Sequence, residues 1–191
     1  MAGSSHVLYC IFLLTLFHIR WQDLGLFEAD PLLLLYGVVL GIGSMAVSSL
    51  LCRVAIAVVG QLAPGKAPGD LKNWLAMARA GWLRHHLKTL EIVPLPLAFL
   101  LISVQIAAEE IVFRGVLINF YLPFGPAVAL AASVTFFTIM QAFHMPSLQS
   151  AMFPVIGALV MGLVHGLLYL AVPVLLPLIV AHIVFFAIAV L

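Results

Sequence analysis

Two adjacent glutamates and an arginine lie inside an otherwise apolar stretch, in the segment Glu109-Glu110-Ile-Val-Phe-Arg114. No Asp, Glu, Lys or Arg follows Arg114 in the sequence. An ionisable side chain near the centre of a membrane helix costs about 2.5 to 3.5 kcal/mol. We therefore expect these side chains to face a protein interior or a water-filled cavity rather than lipid.

The spacing of the charged residues predicts separate roles for the two glutamates. Glu110 and Arg114 are four residues apart, so they share one helical face and can form an ion pair. Glu109 is rotated from Glu110 by roughly 100° and can point elsewhere. A carboxylate in a low-dielectric cavity can act as a general base on water. Spacing alone equally allows a buried ion-pair network that only fixes helix packing.

The charge-free last third of the chain contains His144, His165 and His182 on successive apolar segments. A single His in an apolar helix is more often a hydrogen-bonded packing residue than a catalyst. Three of them, together with two glutamates, favour a catalytic site. His165 lies within Gly162-x-x-x-Gly166, a pattern typical of closely packed helices, so we assign His165 to helix packing.

The composition shows what kind of elements position these residues. The chain has 191 residues, of which 65% are hydrophobic and only 8% charged, whereas a soluble domain carries about a quarter charged residues. Strands are unlikely in lipid because an open sheet edge leaves backbone groups unpaired. The sequence predicts an all-α integral membrane protein of about six transmembrane helices, each near the ~20 residues that a bilayer crossing needs. The predicted spans are 7–19, 31–60, 92–121, 126–145, 148–171 and 173–191.

We divide the chain into N-terminal transmembrane helices (1–60), a loop with an interfacial helix (61–91) and a core with four helices (92–191). Leu71, Trp74 and Leu75 begin an apolar face that predicts the interfacial helix. Basic residues concentrate around this loop, so the positive-inside rule places it in the cytoplasm. With a net charge of +1 and no basic patch, the sequence predicts no nucleic-acid partner. Cys10 and Cys52 are expected to be buried apolar residues.

Three motifs in order resemble those of the CAAX-protease and bacteriocin-processing family of intramembrane proteases, also called Abi proteins. The Glu109-Glu110-x-x-x-Arg114 segment matches the first motif. Met140-Gln-Ala-Phe-His144 is similar to the second, with Met in place of its leading Phe. Pro177-Leu-Ile-Val-Ala-His182 looks like the run-in to the third. The resemblance covers about half of the chain, from residue 92 onward.

The resemblance implies a catalytic glutamate, Glu109, which activates a water molecule with help from His144. Glu110 and Arg114 are carried over as its support, and His182 as an oxyanion stabiliser. The family usually has Asn or Asp four residues after this His, where this chain has Phe186. Losing one oxyanion donor can cost about 100- to 1000-fold in rate.

Two further expectations concern the chemistry of this site. Gln105, one turn before Glu109, is our hypothesis for a substitute oxyanion donor. Glu109, His144 and His182 could together ligate zinc, but the resemblance favours a site without a metal, so we expect no cofactor.

The resemblance therefore implies an intramembrane endopeptidase of glutamic type. Its substrate would be a membrane-anchored protein cleaved near the C-terminus: a CAAX-type tail, a bacteriocin leader or a sorting signal, as in myxosortase-like members. The expected location is a prokaryotic inner membrane. The alternative is a non-catalytic scaffold or an immunity-type binding protein, which Phe186 favours. A proton-coupled transporter is a weaker third hypothesis.

Overall fold

A computed structural model describes residues 2–26, 30–62, 72–73, 76, 83–143 and 145–190, and across these ranges it contains helices and turns but no strand. The long helices are α1 (Ala2–Leu16), α2 (Pro31–Leu62), α3 (Leu83–Ile92), α4 (Leu95–Glu110), α5 (Pro126–Phe143), α6 (Leu148–Ala171) and α7 (Leu176–Val190). A π-helix, Ile111–Ile118, continues α4 and is called the π segment below. Short helical turns follow it at Asn119–Tyr121 and Leu122–Phe124. The predicted all-α class is confirmed.

The lengths of the apolar helices match a membrane protein. Four helical stretches are long and apolar enough to cross a bilayer: Pro31–Leu62, Leu95–Phe124, Pro126–Phe143 and Gln149–Ala171. Two shorter apolar helices, Val7–Leu16 and Leu176–Val190, fall on the first and last predicted spans. The predicted interfacial helix lies largely outside the described residues.

The third predicted span differs from the sequence-based expectation at its start. We expected one helix from residue 92, but α3 ends at Ile92 and α4 begins at Leu95. Proline has no backbone N–H and disfavours helical backbone in the residue before it. Pro94 therefore cannot continue the hydrogen bonds of α3, and with a ψ of 137° it separates the two helices.

Glycines on α2 and α6 let these helices pack closely against α7 and α5. A Cβ built on Gly37 of α2 would lie 2.6 Å from the carbonyl oxygen of Pro177, so the two backbones nearly touch. Gly41, one turn later, faces Ala181, so α2 runs parallel to α7. On α6, a Cβ on Gly162 would lie 3.3 Å from the Val134 side chain of α5.

The chain between α1 and α2 packs beneath the π segment. A 3₁₀ turn, Trp21–Leu24, buries Leu24 completely, and the Leu24 carbonyl accepts a hydrogen bond from the Leu175 N–H at 3.3 Å. A Cβ on Gly115 would lie only 2.8 Å from Leu24 Cδ2, so the leucine reaches the helix backbone. Gly25 has a φ of 59°, a conformation that glycine adopts without strain. This segment therefore closes one end of the core.

Candidate active site

The carboxylate of Glu110 lies at the centre of a fully buried polar cluster. Oε2 of Glu110 lies 3.3 Å from Nε of Arg114, so the ion pair expected from the four-residue spacing is present. Nη2 of Arg114 donates a hydrogen bond to the Met161 carbonyl oxygen at 3.0 Å. The guanidinium also lies 4.5 Å from the centre of the Phe137 ring, within the range of a cation–π contact. The cation is therefore held by α5 and α6 as well as by Glu110.

Two histidines complete the surroundings of Glu110. Nδ1 of His182 lies 2.8 Å and Nδ1 of His165 lies 3.2 Å from Oε1 of Glu110. An ionised carboxylate only accepts hydrogen bonds, so each ring carries its proton on Nδ1. His182 thus hydrogen-bonds Glu110, the second glutamate of the pair.

His165 lies on the close-packed face predicted for it and also contacts Glu110. Gly162 and Gly166 let α6 approach α5 closely, as the pattern predicts, and His165 lies between them. The close approach directs the imidazole into the bundle, where it is fully buried against Glu110. The only sequence signal for this contact was the presence of a third histidine in an apolar, charge-free region.

Glu109 has different surroundings from Glu110. Its side chain is buried, and its Oε2 accepts a hydrogen bond from Nε2 of Gln141 on α5 at 3.5 Å. Gln141 lies inside the Met140–His144 motif, but nothing in the spacing singled it out. His144 lies outside the described residues, so its predicted approach to Glu109 stays a prediction. Gln105 is buried one turn before Glu109.

The two glutamates end α4, and Arg114 belongs to the π segment. Helical turns of the π type are rare and occur frequently at functional sites. Ser133 of α5 donates from Oγ to the Phe113 carbonyl at 2.7 Å. Asn119 donates from Nδ2 to the Gly115 carbonyl at 2.6 Å and to the Tyr169 hydroxyl oxygen at 3.0 Å. These side chains fix the widened turn against α5 and α6, which sets the direction of Arg114.

Comparison with known families bears directly on this cluster. A family model described as type II CAAX prenyl endopeptidase Rce1-like matches residues 91–188. The chain belongs to this family. The match spans α4 to α7. It includes both glutamates and the side chains that contact them: Arg114, Gln141, His165 and His182. The search of curated proteins found no match, and neither did the search of solved structures. The resemblance inferred from the motifs is confirmed, and the Rce1-like chain is a member of a membrane-embedded protease family.

Phe186 marks where this Rce1-like chain departs from the third motif. The ring is buried one turn after His182 and packs with Ile102 and Ile106 of α4. An aromatic ring in an apolar cluster offers no hydrogen-bond donor for an oxyanion. Any donor that replaces the usual Asn must therefore come from another residue.

The donor set for a metal is incomplete in the part of the chain that the structure describes. No group of at least three His, Cys, Asp or Glu side chains there could hold a metal ion. His144 lies outside that part, so the prediction of a site without a metal stays a prediction.

Proposed function

We propose that this Rce1-like protein is an intramembrane endopeptidase in which Glu109 activates the attacking water. The observation that carries the proposal is the unequal environment of the two neighbouring carboxylates. Glu110 contacts a guanidinium and two imidazoles, which suits a residue that holds the site together. Glu109 accepts a hydrogen bond from the neutral amide of Gln141, which suits a carboxylate that accepts a proton from water.

The reaction follows from this division of roles. Glu109 takes one proton from water while the water oxygen forms a bond to the scissile carbonyl carbon. The electron pair of the carbonyl π bond moves to its oxygen, giving a tetrahedral oxyanion. When the intermediate collapses, the C–N bond breaks and Glu109 returns its proton to the leaving amine nitrogen. The carboxylate is regenerated, and the products are a carboxylic acid and an amine.

The remaining predicted residues have supporting roles in this proposal. Glu110 and Arg114 keep the carboxyl end of α4 and the π segment oriented, and they anchor His165 and His182. His144 would help to hold the water, and His182, bonded to Glu110 through Nδ1, would help to position that carboxylate. Gln105 remains a hypothetical donor from the preceding turn of α4. No step in the proposed reaction requires a metal.

The proposed substrate is a membrane-anchored protein that is cleaved near its C-terminus. The name of the family favours a CAAX-type prenylated tail. A bacteriocin leader and a C-terminal sorting signal, as for a myxosortase-like enzyme, are the other candidates. The proposed location is the inner membrane of a prokaryote, where the apolar helices contact the bilayer.

A second candidate function is a non-catalytic scaffold or an immunity-type binding protein that keeps the protease fold. Phe186 favours it, because this aromatic residue stands where the family usually has Asn or Asp, and it packs with Ile102 and Ile106 instead. This candidate predicts binding of a membrane-anchored protein without cleavage.

The test is proteolysis by the purified protein in lipid vesicles. Three probes are offered: a farnesylated peptide with a CAAX-type C-terminus, a bacteriocin leader peptide and a soluble domain fused to a C-terminal apolar helix. We expect cleavage of at least one probe, detected by mass spectrometry, and a loss of roughly 100- to 10,000-fold in Glu109→Gln. Glu91→Gln, an exposed position on α3, is the matched control and should keep full activity. Wild-type protein that cleaves no probe, or full activity in Glu109→Gln, would sink the protease proposal.

A further inference from the structure

Gln141 is a buried polar side chain that the predicted mechanism does not use. It is 3% exposed in an apolar helix, where an amide is costly unless its polar atoms are hydrogen-bonded. Its Nε2 lies 3.5 Å from Glu109, longer than the usual 2.7–3.2 Å of an N–H···O bond. Its Oε1 is buried and has no hydrogen-bond partner among the described residues. The amide is thus next to the proposed base with its bonding capacity only partly used.

The chemistry of peptide hydrolysis requires both groups that this amide offers. The attacking water has two hydrogens, and Glu109 accepts one of them. An amide oxygen can accept the other, which fixes the direction of the water lone pair. The carbonyl oxygen then gains negative charge and needs a donor within about 2.7–3.1 Å. An amide carries both an acceptor and two donors, so Gln141 can serve both needs.

The two side chains of the third motif do not supply the donor that the oxyanion needs. Phe186 has no polar hydrogen and packs on α4. The Nδ1 proton of His182 is directed to Glu110 at 2.8 Å, so a neutral His182 has only an acceptor left on Nε2. Gln105 lies on the same helix as Glu109, whereas Gln141 approaches Glu109 from the facing helix, α5. A substrate held between α4 and α5 would meet the Gln141 amide.

We infer that Gln141 is a catalytic residue that orients the attacking water through Oε1 and donates from Nε2 to the oxyanion of the tetrahedral intermediate. It thereby supplies the donor that Phe186 lacks. The inference rests on the proposed protease function and adds a residue to it. No redox partner or further reactant is needed, because the amide makes and breaks only hydrogen bonds.

The test compares Gln141→Met with wild-type protein on whichever probe the wild type cleaves. Methionine keeps the length of the side chain and removes both polar groups. We expect kcat to fall about 100- to 1000-fold, the usual effect of removing one oxyanion donor, while KM changes less than about two-fold. A phosphinate peptide, which resembles the tetrahedral intermediate, should lose affinity by the same factor as kcat/KM. Gln149→Met, an exposed position near the start of α6, is the control and should match wild type.

Each outcome separates this inference from the proposed function. If Glu109→Gln abolishes cleavage but Gln141→Met keeps kcat within about three-fold, Gln141 is not catalytic and the protease proposal stands. A loss confined to KM, or unchanged phosphinate affinity, would likewise refute the role of Gln141, since an oxyanion donor acts in the transition state. If both variants keep full activity, the glutamate mechanism itself is wrong. Should Gln141→Met unfold in detergent, Gln141→Ala removes the same polar groups without adding volume.

Discussion

The carboxylate of Glu110 joins three parts of the molecule through charged and polar contacts. Arg114 reaches it from the π segment, His165 from α6 and His182 from α7. All four side chains are essentially removed from solvent. Breaking a buried ion pair by removing one partner costs about 3–5 kcal/mol, because the remaining charge is left uncompensated. The cluster therefore makes the geometry of the site depend on each of its members.

The first prediction concerns the cation of this cluster. Arg114→Met should lower the free energy of unfolding by about 3–5 kcal/mol, because Glu110 stays charged and buried without its guanidinium. Denaturant unfolding in detergent micelles measures the change. Arg53→Met, at an exposed position of α2, should stay within about 0.5 kcal/mol of wild type. Equal effects of the two substitutions would show that the buried pair does not stabilise the fold.

Only some contacts of this polar cluster could be predicted from the sequence. The Glu110–Arg114 pair follows from local helical spacing and was predicted correctly. The contacts of His165, His182 and Gln141 depend on how each helix is rotated about its own axis. That rotation is set by packing between helices that are distant in sequence, such as the approach of Gly162 to Val134. A single sequence gives little information about it.

At the scale of elements, the π segment connects the glutamates to the rest of the core. A widened helical turn departs from the regular i→i−4 hydrogen bonds and is less favourable than an α-helical one unless other groups compensate. Here side-chain donors from α5 and from Asn119 satisfy the Phe113 and Gly115 carbonyls. The sequence did not predict this turn, because its residues are apolar except for Arg114. Its main external donor, Ser133, lies 20 residues away from Phe113.

The second prediction tests whether Ser133 stabilises the π segment. Ser133→Ala removes the buried hydroxyl that donates to the Phe113 carbonyl. This loss should lower the free energy of unfolding by about 1–3 kcal/mol. Ser133→Thr keeps a hydroxyl and should recover part of the loss. Thermal unfolding in detergent compares these variants with Thr135→Ala, an exposed substitution on the same helix. The idea fails if Ser133→Ala and Thr135→Ala have the same unfolding midpoint.

At the scale of the whole molecule, the N-terminal half supports the core that the family model matches. The match begins at residue 91, yet α2 packs along α7, which carries His182. Leu24 packs against Gly115 directly after Arg114. The six apolar stretches were predictable from hydropathy alone. Their packing order was not, because nearly every face of these helices is apolar and hydropathy cannot distinguish lipid from protein contact.

The course of the helices leads to a prediction about orientation in the membrane. α2 and α7 run parallel, and α5 and α6 run antiparallel, so the turn between α5 and α6 lies on the side where α2 ends. The connection that follows α2 contains Lys66, Lys72 and Arg79 in its sequence, and the positive-inside rule places such a loop in the cytoplasm. Pro146 should therefore face the cytoplasm, and Phe124, in the turn before α5, should face the opposite side.

Cysteine labelling tests this orientation, because both natural cysteines are buried and should react little. Cysteines placed at the exposed positions Pro146 and Phe124 are treated with a membrane-impermeant maleimide, in intact cells and in inverted vesicles. Pro146→Cys should label only in inverted vesicles and Phe124→Cys only in cells. A reversed pattern would overturn the orientation, and labelling of both from one side would contradict the crossing of α5.

Gln141 lies near the Pro146 end of α5, whereas Leu24 closes the end near Gly115. We therefore expect the cleaved tail to reach Glu109 from the cytoplasmic side.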